Sequence, residues 1–578
     1  MFGSPYLFVS STEERILEAC KVLQSTEFET RYADARSNTY FFAGMKGTIP
    51  FYSSVINDQG DYSIQDEVQR AFDARPASAG TDSFVSFAHV DGNKFVAKTD
   101  FWGIQHHYFY HNERTLICSN NCFLVARLVD ARIADDSMFE YLFFLSPVGD
   151  KSWFEGVRLL ERNQAVAYDI ASRRFSVTDK ADLYEELTRK PSVGLLDAVS
   201  GFYAKAASVL QGKKVQLSLS GGSDSRTVLS GLLKYGVDVR VVSFGGEDFL
   251  ETGAIRALAK ARGLNSTIYD FAELLSNWSE TFHSASLVTN GLLNPFRVHY
   301  GNYYRVLDGD ALFEGFTGSE FVKGEIAVGG VTSECHADVI RNRMDVKQAI
   351  GHTYGFLPET FRSRMGEYIV ETHGGALPPV ESPAGKEEFA RRMFEFVPTR
   401  VFNPLHALGS AHLKIYNPFL SPRILRTVFE SYGIVNYNSL RMDFPGPVKS
   451  LVPECLIVKQ FDDRLYGTRL DRQVSFKEAL ELPLFIVDPL RRSRELKKRL
   501  TAGRRHHGQV DIAIINAAAE RYLRENETPM DYSVLGGKIE GTQLLKKRCN
   551  LICLRKLMTW DLTTMVGILM KTGRRRQP

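Results

Sequence analysis

Three hydroxyls, one carboxylate and two glycines stand together in Ser220-Gly221-Gly222-Ser223-Asp224-Ser225. Gly221 and Gly222 let a backbone turn sharply and approach an anion closely. Their N–H groups, with those opening a following helix, point into one concavity. Ser220, Ser223 and Ser225 add hydroxyl donors, and Leu219 leads into the turn. The set suits a chain of phosphates. Asp224 would be repelled by phosphate unless a cation lay between them, so it reads as a magnesium ligand. No Gly-Lys-Ser/Thr follows, so this is not the commonest nucleotide loop. The bland reading is a Ser/Gly-rich turn that caps a helix.

The elements around the loop favour the phosphate reading. Lys214–Leu219 reads as a short buried strand, and Arg226–Tyr235 as a helix closed by Gly236. Val239–Phe244 is a strand, Ala254–Arg262 a helix closed by Gly263, and Ser266–Asp270 a strand again. Strands alternating with helices imply parallel βαβ units, whose ligands bind beyond the strand ends. Upstream, the pattern is mostly β. Phe84–Val90 and Lys94–Lys98 flank Asp91-Gly92-Asn93, and His107–Tyr110 and Thr115–Cys118 flank a second turn, which predicts two hairpins. Ile16, Leu17, Ala19, Cys20 and Leu23 mark a helical stripe over 13–23. Residues 325–480 read as helical and irregular, and 481–578 as a basic helical tail.

The loop resembles the Ser-Gly-Gly-x-Asp-Ser motif of PP-loop ATP pyrophosphatases, and its wider context resembles asparagine synthetase. Ser243-Phe244-Gly245 stands where that family lays adenine against a strand end. Glu251, Ala254 and Arg256 match its following helix. Glu314 and Gly315-Phe316-Thr317-Gly318-Ser319-Glu320-Phe321-Val322-Lys323-Gly324 resemble its second phosphate motif, and Asn417-Pro418-Phe419-Leu420 a later segment. Asp100-Phe101-Trp102-Gly103, Glu140-Tyr141-Leu142 and Phe154-Glu155-Gly156-Val157 are similar to landmarks of its N-terminal glutaminase half. The resemblance spans roughly residues 80–470.

It implies an α/β chain in three parts. Residues 1–185 would form an Ntn-like αββα sandwich, 186–480 a PP-loop domain with a parallel sheet, and 481–578 a helical C-terminal extension. It further implies ATP and Mg2+ as cofactors, Asp224 and Glu320 as metal ligands, and Lys459 as the cation beside the leaving pyrophosphate, with Lys449 as the alternative. The implied activity is a carbon–nitrogen ligase that adenylates a small-molecule or peptide carboxylate and passes it to ammonia or an amine. A lactam- or macrolactam-forming cyclase and a non-catalytic scaffold are the other readings. The family's nucleophilic cysteine follows the initiator methionine, but this chain has Phe2 there, so glutamine hydrolysis is not expected. The family's general-base glutamate falls on Phe316 and its aspartate on Ser319.

Bulk properties narrow the field. The net charge of +3 over 578 residues argues against a dedicated nucleic-acid binder. Seven cysteines in a long chain do not suggest a disulfide framework, and neither Cys118/Cys122 nor Cys549/Cys553 has zinc-site companions. His106, His107 and His111 read as structural or surface histidines. No signal peptide or transmembrane run is evident, so the cytoplasm and possible homodimer formation are the expectations. The basic runs Arg491–Arg499 and Arg574–Arg576 read as a solvated face, or as a surface for an acidic or phosphorylated partner.

Overall fold

The computed structural model describes residues 5–43, 51–52, 69, 72–73, 85–180, 182–246, 250–323, 333–340, 343–374, 391, 394, 396–432, 451–470, 474–483, 486–487, 489–494, 507–526 and 542–572. Lys449, Phe2, Gly324, Glu495–Arg499 and Arg574–Arg576 lie outside them.

The fold is mixed α/β, with two antiparallel sheets and one parallel sheet. The strands are β1 (Tyr6–Ser11), β2 (Glu29–Asp34), β3 (Thr39–Ala43), β4 (Phe51–Tyr52), β5 (Ser86–Asp91), β6 (Lys94–Lys98), β7 (Tyr108–His111) and β8 (Thr115–Ser119). They continue as β9 (Arg158–Leu159), β10 (Ala165–Asp169), β11 (Phe175–Val177), β12 (Val215–Ser218), β13 (Val239–Gly245), β14 (Ser266–Asp270), β15 (Ala311–Phe313) and β16 (Lys414–Tyr416).

The first sheet runs β2-β3-β1-β8-β7-β9 and the second β11-β10-β6-β5-β4. Both expected hairpins are present: Asp91 pairs with Lys94 across a two-residue turn, and His111 pairs with Leu116. Alternation along β1 sends Phe8 toward the second sheet, where it stacks on Phe95 at 3.8 Å, and sends Leu7 and Val9 into the core on its other side. Helix Glu14–Gln24 buries Ile16, Cys20 and Leu23 in that other core.

The parallel sheet runs β14-β13-β12-β15-β16. Strand order therefore reverses between β12 and β15, which opens a crevice at their carboxyl ends. The sequence pattern finds β12, β13 and β14. It misses β15 and β16, each three residues long and too short for a periodic signal.

The two largest cores cross the expected boundaries. Trp102 and Ile104 share a core with Leu217, Phe313 and Leu420. Leu7 and Phe123 share another with Leu312, Cys549, Cys553 and Met565. Helices Thr542–Met558 and Leu562–Thr572 are thus part of the packed body. All seven cysteines are buried free thiols, as suits a small apolar side chain. No helix of the described residues is long and apolar enough to cross a membrane.

Candidate active site

The two motif loops meet at the crevice. β12 ends at Ser218, and the helix Ser223–Lys234 begins three residues before its expected start. Ser223, Asp224 and Ser225 are therefore its first turn. Gly222 precedes that turn with φ −78° and ψ 179°, and no side chain caps it, so its end presents N–H groups to the crevice. The turn is pinned from within: Ser220 N–H donates to Ser225 Oγ at 3.0 Å and Gly222 N–H to Ser220 Oγ at 3.2 Å.

The second loop leaves β15 through Glu314 and lies directly on that turn. A Cβ on Gly315 would stand 2.9 Å from Ser225 N, and one on Gly318 would stand 2.3 Å from Asp224 Oδ1. Only glycine permits either approach. Thr317 between them takes a left-handed φ of +70°, and the π-helical turn Gly318–Val322 follows. Asn417 holds the loop from the other side, its Nδ2 donating to Phe316 O and its Oδ1 accepting from Phe419 N–H. Trp102 stacks on Phe321 at 5.4 Å and donates Nε1–H to Leu420 O at 2.7 Å, so the N-terminal half braces the crevice.

Lys323 brings an ammonium to this site. Its Nζ donates to Ser223 Oγ at 3.0 Å and to Asp224 Oδ2 at 3.2 Å, and it lies 3.1 Å from Asp224 Oδ1. Ser319 Oγ also donates to Asp224 Oδ2, at 3.1 Å. Two further carboxyls face the cluster. Burial, with a lesser push from Asp224, raises Glu320 to about 7. Burial raises Glu454 well above the usual range, while Lys323 pulls it down. Glu454 lies on the helix Val452–Phe461, which packs against Ser223–Lys234.

Lys459 is not brought to the loop. It lies five residues after Glu454 on the same helix, which at 3.6 residues per turn puts it on another face. It is half-exposed, with its ammonium 3.5 Å from Glu481 and over the Tyr466 ring. Neither Lys323 nor Glu454 was singled out from the sequence. Lys323 does stand within the segment that resembles the second phosphate motif.

Leu219 and Gly245 are buried beside the loop, Ser243 is 8% exposed, and Phe244 meets the rings of His299, Tyr300 and Tyr303 edge-on. Glu314 is buried and accepts from Tyr304 OH at 2.9 Å, and burial pushes it up to about 8. Its Oε2 has no hydrogen-bond partner among the described residues. Phe316 packs on Tyr300 and Phe402 and supplies no acid–base group.

Among the described residues no three His, Cys, Asp or Glu converge on a metal-sized point. Magnesium does not need such a cage, since it commonly takes one or two carboxylates and completes its shell with phosphate oxygens and water. Asp224, paired with Lys323, and Glu320, whose carboxyl Asp224 pushes upward, are the two carboxyls at the loop that could contribute to such a shell. His106 and His107 are buried in structural roles: His106 Nε2 meets Thr399 O, and His107 bridges the hydroxyls of Tyr6 and Ser86.

Comparison with known proteins finds no family model that matches this chain and no characterised protein that is similar to it.

Proposed function

We propose that this chain is an ATP-dependent carbon–nitrogen ligase that releases AMP and pyrophosphate. The observation that carries the reading is the meeting of two loops at the strand-order reversal of a parallel sheet. There an uncapped helix start, a buried ammonium and a carboxylate face one crevice.

In this reading the first-turn N–H groups and the hydroxyls of Ser220 and Ser223 hold the phosphate chain. Ser243, Phe244 and Gly245 flank adenine. Asp224 and Glu320 would hold magnesium, which supplies charge neutralisation between the phosphates when bound. A substrate carboxylate oxygen attacks the α-phosphorus, and the bond from that phosphorus to the bridging oxygen breaks. Lys323 stabilises the charge that collects on the departing pyrophosphate. An uncharged amine then attacks the acyl carbon, AMP leaves with the bonding electrons, and a proton passes to the medium. Enclosure by the second loop protects the acyl-adenylate from water.

The test is pyrophosphate release from Mg-ATP with a pool of carboxylates, with and without ammonia, followed by mass spectrometry of the products. Carboxylate-dependent release that is lost in Asp224→Asn is expected. No release with any carboxylate, together with no ATP binding, would sink the reading.

A further inference from the structure

The described residues hold a further cavity, with mixed polar and apolar walls, whose charge the loops do not explain. It measures about 70 Å³ and opens between Pro295–Arg297, the π-helical turn Val397–Phe402 and the helix Thr542–Met558. Arg297, Arg400, Lys546 and Lys547 line it, and no Asp or Glu is among its described lining residues.

Lys547 is committed to the fold, donating to Leu142 O at 2.8 Å and to Tyr354 OH. The other three are differently placed. Arg400 is 6% exposed and donates Nη2–H to two carbonyls, Gly149 O and Lys151 O, at 2.9 and 3.1 Å. The carboxylates that act on it from farther off are already spent: Glu140 on Lys151 and His373, and Glu161 on Lys180. Lys546 lies over the Phe296 ring at 4.4 Å, and burial together with Arg297 lowers its pKa. Holding like charges together while withdrawing them from water is costly, and such arrangements concentrate at binding sites.

Two connections place the cavity in relation to the loops. Arg297 acts electrostatically on Glu320, so the cationic wall stands next to the crevice. Phe402, on the same turn as Arg400, packs against Phe316 of the second loop at 6.1 Å. On the far side, a cavity of about 150 Å³ shares Phe396 and Arg400 and continues along Phe144 and Leu159. That neighbouring cavity also has Glu161, Arg162, Lys180 and His373 among its described lining residues.

We propose that Arg297, Arg400 and Lys546 bind a second anionic group, carboxylate or phosphate, of the substrate whose reactive carboxylate lies at the phosphate loop. This inference rests on the ligase reading for its substrate, but not for its binding site. Lys546 comes from the helix Thr542–Met558, so the C-terminal extension contributes to this pocket.

Calorimetry on the full-length protein without nucleotide tests it, using glutarate, its monoamide, and phenyl phosphate as the phosphate arm. Arg297→Gln and Lys546→Gln are the variants, since both side chains are only half-buried and melting curves report whether the fold survives. Saturable binding of a dianion is expected, weakened at least tenfold in either variant and in the monoamide. The tighter of the two arms names the anion. No saturable binding, or equal binding by wild type and both variants, would overturn the proposal. Dianion binding without any pyrophosphate release would leave this site standing and count against the ligase reading. Release that neither variant alters would do the reverse.

Discussion

Lys323 Nζ lies 3.1 Å from Asp224 Oδ1 and 3.0 Å from Ser223 Oγ, joining the end of the second loop to the first turn of the helix that follows the first. The ammonium is 4% exposed and its carboxylate partner 22%. It thus holds a buried positive charge against the first turn of that helix, paired with Asp224.

Replacing this lysine separates it from Lys459. Lys323→Met is expected to lower pyrophosphate release by roughly 100-fold or more, the scale for losing one group that stabilises developing charge. Breaking a buried ion pair also costs about 3 kcal/mol, so the melting temperature falls as well. Lys459→Met removes a half-exposed partner of Glu481 and is expected to leave both quantities near wild type. Equal rate losses in the two variants would return the role to Lys459.

Gly318 admits no side chain. Its added Cβ would stand 2.3 Å from Asp224 Oδ1, so Gly318→Ala must displace either the carboxylate or the loop. Overpacking of this kind costs about 1–3 kcal/mol. Nucleotide-dependent stabilisation in a melting assay should disappear while the fold persists. Unchanged stabilisation by Mg-ATP would show that the two loops do not act as one site.

Glu314 gives a pH dependence with a definite sign. Burial raises its carboxyl from 4.5 to about 8, so its contribution to stability is complete below about 4.5 and is lost as pH rises through about 8. Glu314→Gln keeps the shape and cannot ionise. Melting temperatures measured from about pH 5 to about pH 9 should converge at the acid end, with the variant the more stable at the alkaline end. Parallel curves would mean that Glu314 does not titrate in this window.

Trp102 ties the N-terminal half to the crevice through its bond to Leu420 O. Trp102→Phe keeps a ring for Phe321 to stack on but leaves a buried carbonyl without its donor. That should cost about 1–3 kcal/mol. Because Leu420 follows the segment by which Asn417 holds the second loop, ATP affinity should weaken as well. A variant that melts earlier with unaltered nucleotide affinity would confine Trp102 to a stabilising role.

Local patterns in the chain determined a good deal. The glycine, serine and aspartate order at 220–225 sets a tight turn before a helix, and short-range backbone geometry suffices for that. Alternation and turn residues likewise specify the hairpins at 86–98 and 108–119. What only the tertiary structure decided depends on contacts between distant segments. β15 and β16 exist because neighbouring strands satisfy their backbones, not because three residues carry a period. Lys323 and Glu454 lie about 100 and 230 residues from Asp224 in the chain, so no spacing rule could join them to it. Lys459 looked suitable from its position after the Pro-Phe-Leu segment, but helical rotation turned it outward while Glu454 turned in. Residues 481–578 read as a basic helical tail in one dimension. Packing buried part of it, because its apolar residues fill a core shared with Leu7 and Leu312, and that packing carries Lys546 to Arg297.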